Sequence, residues 1–376
     1  MGVCNSSNDK PKFRSNNTTK STTHTVSGIS KTNSNQKDEY LLPETYAKRD
    51  DINKYYKIST GYLGKGSSGV VCEGESPSGQ KFAIKRIFKD HLKSSHSILK
   101  EAEFNLSINN PQIIKCFEIY EDLKSVSFVM ELGEGGDLFD FIVNSPTGKV
   151  PLDSSIEIAK QILETINYLH NEKGIVHRDL KPENFMVTIS DDNQPLIKLI
   201  DFGLATYIPK DKNNLLTDYV GTPQYAAPEI IMHDCYDEKV DIWSIGVILF
   251  NMLTGYEPFR GESKSELNDQ IKYKRINFDI IDDEPMRNLC KKLLERNTKF
   301  RYTASEALEE IKKIKKEKDD YNSENKATND NEQSKSDSSS NNTKLKFKGT
   351  ETMNKRDLDL FITAFGQNKN INNIIC

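Results

Sequence analysis

The run His177-Arg178-Asp179-Leu180-Lys181-Pro182-Glu183-Asn184 puts a carboxylate, a cation and an amide into one short loop. Phosphoryl transfer calls for those groups close together: an acceptor for a hydroxyl proton, a cation beside the moving phosphoryl, and a neutral oxygen for a metal ion. A second stretch with chemical content lies upstream, Gly64-Lys65-Gly66-Ser67-Ser68-Gly69-Val70-Val71. A G-x-G-x-x-G alone also fits a dinucleotide fingerprint, which would open a helix. Here Val70-Val71-Cys72 and the turn residues Ser76-Pro77-Ser78-Gly79 follow it. That order predicts strand, glycine loop, strand and hairpin turn.

Several elements must hold these loops in place. Lys81-Phe82-Ala83-Ile84-Lys85 alternates as a strand, and Ser97 to Phe104 reads as a helix that closes before Asn110-Pro111. Ser127 to Leu132 is an apolar strand entering Gly133-Glu134-Gly135-Gly136. Asp137 to Ile142 begins a helical stretch. Ile158, Ile162, Ile166 and Leu169 make one face of a helix over Ile156 to His170, placed to support the catalytic run. Ile197-Lys198-Leu199-Ile200 is a further strand, and Asp201-Phe202-Gly203 comes directly after it.

The eight-residue run resembles the catalytic loop of the eukaryotic protein kinases. The glycine loop, Lys85, Asp201-Phe202-Gly203, Ala227-Pro228-Glu229 and Asp241-Ile242-Trp243-Ser244 extend the resemblance in order over residues 54–314. Phe139-Asp140-Phe141-Ile142, Tyr225-Ala226-Ala227-Pro228-Glu229 and Val240-Asp241-Ile242-Trp243-Ser244 are similar to the calmodulin-dependent kinase group, with its calcium-dependent and Snf-like relatives. Lysine at 181 marks the Ser/Thr type. The resemblance implies an α+β, bilobal fold with a small β-rich N-lobe and a larger helical C-lobe. It implies an ATP- and Mg²⁺-dependent serine/threonine protein kinase. A pseudokinase scaffold, binding ATP or partners without turnover, is the alternative.

The resemblance also assigns roles. Asp179 would take the substrate hydroxyl proton and Lys181 would steady the γ-phosphate. Asn184 and Asp201 would bind metal. Leu63, Gly64, Gly66 and Gly69 belong to the loop over the phosphates, and Lys85 would reach those phosphates. The partner of Lys85 is a glutamate on the following helix. Glu101 and Glu103 compete, pointing about 200° apart, and the family pattern counted back from Pro111 selects Glu101. Val71 and Ala83 above and Met186 below would sandwich the adenine, with Met130 at the back. The backbone of Glu131 and Gly133 would meet its edge. Asp137 and Glu183 match acids that hold an arginine upstream of the target residue, so a basic substrate preference is expected. Asp218 stands where many kinases are phosphorylated. A fixed carboxylate there would pair with Arg178, and its replacement by alanine is expected to reduce activity strongly; Thr217 beside it is a candidate phosphosite. Gly221-Thr222-Pro223 resembles the peptide-docking loop, and Glu229 with Arg301 would form a buried pair.

Three positions depart from the family pattern. Ser68 replaces an aromatic at the loop tip. Asn105 and Cys116 stand where such kinases stack apolar side chains behind the active site, which predicts a looser wall.

The remainder is tail. Of 376 residues 35% are apolar, and the mean hydropathy of −0.66 is low for a globular chain, so part of it should be disordered. A net charge of −4 gives no sign of nucleic-acid binding. The six cysteines are scattered without a C-x-x-C pair, against a zinc site or a disulfide framework. Met1-Gly2-Val3-Cys4-Asn5-Ser6 fits a myristoylation signal at Gly2 with a palmitoylation candidate at Cys4. One myristoyl chain anchors only marginally, so the pair predicts a lipid-anchored protein on the cytoplasmic face of a membrane. The expected layout is a disordered arm over 1–53, a kinase domain over 54–314 and a mostly disordered tail over 315–376 with an apolar patch at 358–365. No EF-hand loop pattern occurs, and the lysine-rich stretch 312–318 lacks the large apolar anchors of a calmodulin target, so neither calcium nor calmodulin binding is expected.

Overall fold

A computed structural model describes residues 40–333 apart from Ser67, Ser68, Lys93, Glu134 and residues 212–214, with side chains described to 324. The acylation signal at Gly2 and Cys4, the loop-tip Ser68 and the patch at 358–365 therefore lie outside the described residues.

Alternating β-branched and aromatic residues build the N-lobe sheet. Strands β1 (Lys57–Lys65), β2 (Gly69–Glu75), β3 (Lys81–Phe88), β4 (Cys116–Glu121) and β5 (Ser125–Glu131) pair antiparallel in the order β1-β2-β3-β5-β4. Helix α1 (Ser95–Ser107) lies between β3 and β4 in sequence, and the Ser94 hydroxyl caps it by accepting from His96 N. The glycine loop joins β1 to β2, as the turn chemistry predicts. Gly69 is required there, because a Cβ would stand 2.0 Å from the Arg86 carbonyl oxygen.

The C-lobe carries the larger core. Its elements run β6 (Gly136–Asp137), α2 (Leu138–Val143), α3 (Leu152–Asn167), β7 (Ile175–Val176), β8 (Phe185–Ile189), β9 (Pro195–Leu199), β10 (Thr206–Tyr207), α4 (Pro228–Ile231), α5 (Lys239–Thr254), α6 (Lys264–Tyr273), α7 (Glu284–Leu293) and α8 (Ala304–Gln333). The apolar face expected over Ile156 to His170 is α3, with Ile158, Ile162, Ile166 and the following Leu169 all fully buried. Trp243 on α5 is fully buried and stacks on Phe259. Two small sheets, β6-β8-β9 and β10-β7, frame the loops between them. The Gln161 side chain of α3 donates to Pro195 O and accepts from Ile197 N, which pins β9 and with it the chain leading to Asp201.

Ordered structure extends past both ends of the expected kinase domain. Residues 40–53 are not a free arm: Leu42, Ala47 and Ile52 are buried against the N-lobe. Nor does helical structure end at 314, for α8 runs to Gln333. Beyond Ile314 it has lost its apolar face, and distant carboxylates hold it instead. Lys315 pairs with Glu157 of α3, and Lys318 reaches Asp283 at 2.5 Å. Low hydropathy forecast disorder there because such long-range pairs leave no local pattern.

Candidate active site

The catalytic run turns through an unusual backbone. Arg178 has φ +69°, a left-handed conformation rare for a side chain other than glycine. Asp241 at the start of α5 over-determines it. Its fully buried carboxylate accepts His177 N and Arg178 N, each at 2.8 Å, and meets His170 Nε2 at 2.8 Å. Burial pushes this carboxyl up, but the His170 hydrogen bond, the nearby histidines and the backbone donors outweigh it and hold it below the carboxylate range.

Asp179 faces Thr222. Its Oδ1 accepts from Thr222 N at 2.8 Å and from Thr222 Oγ1 at 2.7 Å. Lys181 Nζ lies 3.5 Å from Asp179 Oδ2 and donates to Thr222 Oγ1 at 3.2 Å. Thr222 thus orients both residues; the sequence marked its loop only as a docking element. Gly221 beside it, at φ +99°, comes so near the Arg178 carbonyl that a Cβ would stand 2.5 Å away. Asn184 Nδ2 donates to Asp179 O at 2.7 Å, and Asn184 O accepts from Ile200 N at 3.0 Å. These links tie Asp179, Asn184 and Asp201 into one unit. The His177 ring adds another, with Nε2 2.5 Å from Asp201 O.

Lys85 joins the lobes. Its Nζ is 2.6 Å from both Glu101 Oε1 and Asp201 Oδ1. This decides between the two glutamates. Glu101 is buried beside Lys85, while Glu103 accepts from the Tyr207 hydroxyl at 2.6 Å on the other side of α1. Burial works against the Lys85 ammonium, but the two carboxylates win and raise its pKa. Burial holds the Glu101 carboxyl above its usual range in spite of Lys85. Burial opposes Asp201 too, yet Lys85 keeps it below. The Asp201 side chain is 38% exposed, so it faces the open cleft.

The nucleotide-side residues gather around that ammonium. Val71 pairs with Lys85 in register, and Ala83 with Met130. Met130 is buried, and Gly133 lies so close to Met186 that a Cβ would stand 3.1 Å from Met186 Cε. Gly64 and the exposed Leu63 lie on β1, and Gly66 donates to Gly69 O across the loop. Glu131 closes β5. Its N–H is spent on Lys115 O at 2.8 Å, and its side chain pairs with Lys198 at 2.5 Å, so only its carbonyl remains for an adenine edge.

The wall behind His177 is firmer than its sequence suggests. The Asn105 amide donates to Glu101 O at 2.8 Å, within its own helix. Phe104, fully buried, packs on Phe202 at 6.5 Å, and Phe202 on His177 at 5.6 Å between ring centroids. Cys116 is buried, and burial pushes its thiol up to about 12.

Asp137 caps α2 by accepting from Asp140 N at 2.8 Å. Burial raises its carboxyl, the Asp140 N–H opposes the rise, and the charges of Asp140 and Glu183 add to it. Arg178 Nη1 donates to Asp218 at 2.9 Å, with Asp218 65% exposed. Thr217 is exposed beside it. Arg301 meets Glu229 at 2.6 and 3.0 Å, both buried, as expected.

A two-lobed fold, with a lysine–glutamate pair in the N-lobe whose ammonium also meets Asp201 of the C-lobe, and a catalytic loop ordered beside it, defines a protein kinase domain. The family model for the protein kinase domain matches residues 58–312, and the chain belongs to that family. It is similar to calcium-dependent protein kinase 4 of Plasmodium falciparum (isolate 3D7), with 36% identity over 294 residues, covering 75% of this chain and 54% of the relative. It is also similar to calcium-dependent protein kinase 5 of Plasmodium berghei (strain Anka), 40% identical over 231 residues, which cover 61% of this chain and 40% of that protein. Against calcium-dependent protein kinase 3 of Plasmodium yoelii yoelii the identity is 37%, covering 69% and 48%. The chain spans about half the length of the curated relatives it matches. These relatives place its kinase domain on the serine/threonine side of the family, in the calmodulin-dependent-kinase-like group, and the family uses ATP with a divalent metal.

Proposed function

We propose that this chain is an active serine/threonine kinase that transfers the γ-phosphoryl of ATP to protein hydroxyls. The observation that carries the reading is the joined set Lys85–Glu101–Asp201 and Asp179–Thr222–Lys181, with all the distances short enough for direct contact. The donor set suits Mg²⁺, which is usually held by one or two carboxylates with substrate phosphates and water. Asp201 offers the carboxylate and Asn184 the amide oxygen, since its nitrogen is already spent on Asp179 O. When bound, the ion neutralises charge on the phosphates. Asp179 Oδ1 is fixed by Thr222, which leaves Oδ2 to accept the acceptor hydroxyl's proton. Lys181 stands beside that oxygen to meet the transferring phosphoryl. Lys85 would trade Asp201 for the phosphates, freeing that carboxylate for the cation, while Glu101 keeps the ammonium in place.

The proposal includes a basic substrate preference and a membrane tether. The first is supported by Asp137 and Glu183: burial chiefly, with the nearby Glu183 charge adding to it, raises the cost of charging Asp137 in the absence of a cation. The second is supported only by Gly2, Cys4 and the physics of two-signal anchoring. Calcium control is left out, because the chain's 376 residues contain no EF-hand loop pattern. Phosphate transfer from labelled ATP to an arginine-rich serine peptide tests the central reading. Wild type should turn over, and Asp179→Asn should lose nearly all of it. Equal rates would remove Asp179 from the role, and no turnover by wild type would favour a scaffold. Myristate labelling with Gly2→Ala as control tests the tether.

A further inference from the structure

Residues 40–49 form a strap along the N-lobe, and its receptor is a charge buried where no ATP or peptide contact needs one. Glu121 closes β4 and is 1% exposed. A buried carboxylate is costly unless donors surround it. Glu121 meets four of them, and three belong to the strap: Leu41 N at 2.5 Å, Leu42 N at 3.1 Å and the Arg49 guanidinium; Lys89 at 2.8 Å is the fourth. Arg49 also donates to Leu42 O and lies 4.0 Å over the Tyr40 ring, so the strap is closed on itself around the carboxylate. Without those residues the N-lobe would hold an under-partnered ion.

The strap also finishes the sheet. β4 is an edge strand. Lys48 pairs with Tyr120 in a parallel bridge, with Lys48 N donating to Ile119 O and Glu121 N donating to Lys48 O. This covers backbone that an edge would leave open. Leu42 and Ala47 then enter the apolar cluster that contains Ile98 and Ala102 of α1 and Ile119 of β4. Ile98 and Ala102 lie one turn apart on one face of α1, and Glu101 is the residue next to Ala102. The strap therefore shares one apolar cluster with the helix that carries the Lys85 partner.

We propose that the strap, locked on Glu121, is a positioning element for α1 and sets the Lys85–Glu101 pair. It acts on the reaction through Glu101 without touching substrate, and it goes beyond the kinase reading while resting on it. Burial raises the Glu121 carboxyl, but Lys89, Leu41 N, Arg49 and Leu42 N together hold it below the ordinary range, consistent with a receptor filled by cations and N–H groups.

The test uses the full chain with Leu42→Ala, Arg49→Ala and Glu101→Gln, singly and in combination, with kcat and the KM values for ATP and peptide. Melting is followed by circular dichroism, so that rates are compared only on folded protein. Each strap variant should lower kcat about tenfold, inside the roughly hundredfold loss that a misplacement of about 1 Å can cause, and leave the peptide KM unchanged. In the Glu101→Gln background the same strap substitution should cost nothing more, because the pair it sets is already gone. Unchanged kcat in both strap variants, or full additivity with Glu101→Gln, would overturn the proposal. If Leu42→Ala does not fold, Arg49→Ala carries the test, since its side chain is partly exposed. An inactive wild type would instead strike at the kinase reading.

Discussion

Replacing Asp218 by alanine removes one carboxylate from Arg178 and little else. The two meet at 2.9 Å, but Asp218 is 65% exposed while the Arg178 side chain is 8% exposed. An ion pair with one partner in water contributes about 0.2–1 kcal/mol. Arg178 keeps other partners: Nε donates to Leu204 O at 2.8 Å and Nη1 to the Tyr236 hydroxyl at 3.2 Å. That hydroxyl donates to the Asp218 backbone carbonyl at 2.9 Å, a contact the substitution does not remove. If the pair's whole energy goes into holding the segment, kcat falls roughly 1.4- to 5-fold. This is far less than the strong loss that the sequence comparison alone suggests. The assay is steady-state turnover of wild type, Asp218→Ala and Asp218→Asn on one peptide, at low and at high salt. Salt screens exposed charges over roughly 10 Å at 0.1 M, so the gap between wild type and the variants should narrow as salt rises. A loss beyond about twentyfold, or a gap indifferent to salt, would refute the argument and give the carboxylate a role that its exposure does not predict. Phosphate on Thr217 must be checked by mass spectrometry in each sample, since it would add a stronger charge in the same place.

Three further outcomes follow from the geometry. Thr222→Val removes the hydroxyl shared by Asp179 and Lys181 but not the backbone N–H, so kcat should drop about tenfold, the cost of one charge-assisted hydrogen bond, with the ATP KM unchanged; a rise in ATP KM alone would contradict it. Arg301→Met leaves the Glu229 carboxylate buried without its partner and should cost about 3–5 kcal/mol, read as a fall of roughly 10 °C or more in melting temperature; a shift under 3 °C would show that Glu229 finds other donors. Glu121 and Asp241 are held below their ordinary values of 4.5 and 3.8, so their stabilisation is complete above those values and is lost as pH falls through the lower folded ones. Melting temperature should therefore fall steeply with acid below about pH 4.5, and a flat profile down to pH 3 would remove both from that role.

The catalytic run, the glycine loop and Asp201 were legible because each packs its chemistry into a few consecutive residues, and their order along the chain is itself a signal. The long apolar face of α3 was legible from its period. What escaped was held together by charge at a distance. Glu121 looks like any polar strand end in sequence, and nothing local says that Arg49, 72 positions before it, makes its burial tolerable. The strap follows a Ser-, Thr- and Asn-rich stretch and has no period of its own, so composition read it as disorder. Past Ile314 the helix α8 has no apolar period, and the pairs of Lys315 with Glu157 and Lys318 with Asp283 tie its middle turns to the C-lobe. At Asn105 the sequence could not show that the amide would be satisfied within its own helix by Glu101 O, nor that Phe104 beside it would pack on Phe202.

Helix α1 shows why these distant contacts matter to the reaction. Its two glutamates point to different sides, and both are used. Glu101 holds Lys85, while Glu103 accepts from Tyr207 of β10, whose hydroxyl is pushed up to about 12 by burial and that carboxylate. Lys100 adds a contact to Thr206 at 2.8 Å, and Phe104 packs edge-on against Tyr207 at 5.0 Å. β10 pairs with β7, directly before His177. The helix is thus fixed to the catalytic loop's own scaffold on one side and to the strap on another. A rotation of α1 that broke the Lys85 pair would have to break the Tyr207 contacts as well, or pull Ile98 and Ala102 out of the apolar cluster that they share with Leu42 and Ala47. The reach of Lys85 is therefore set by several contacts on one helix, and only the one to Glu101 belongs to the catalytic motif.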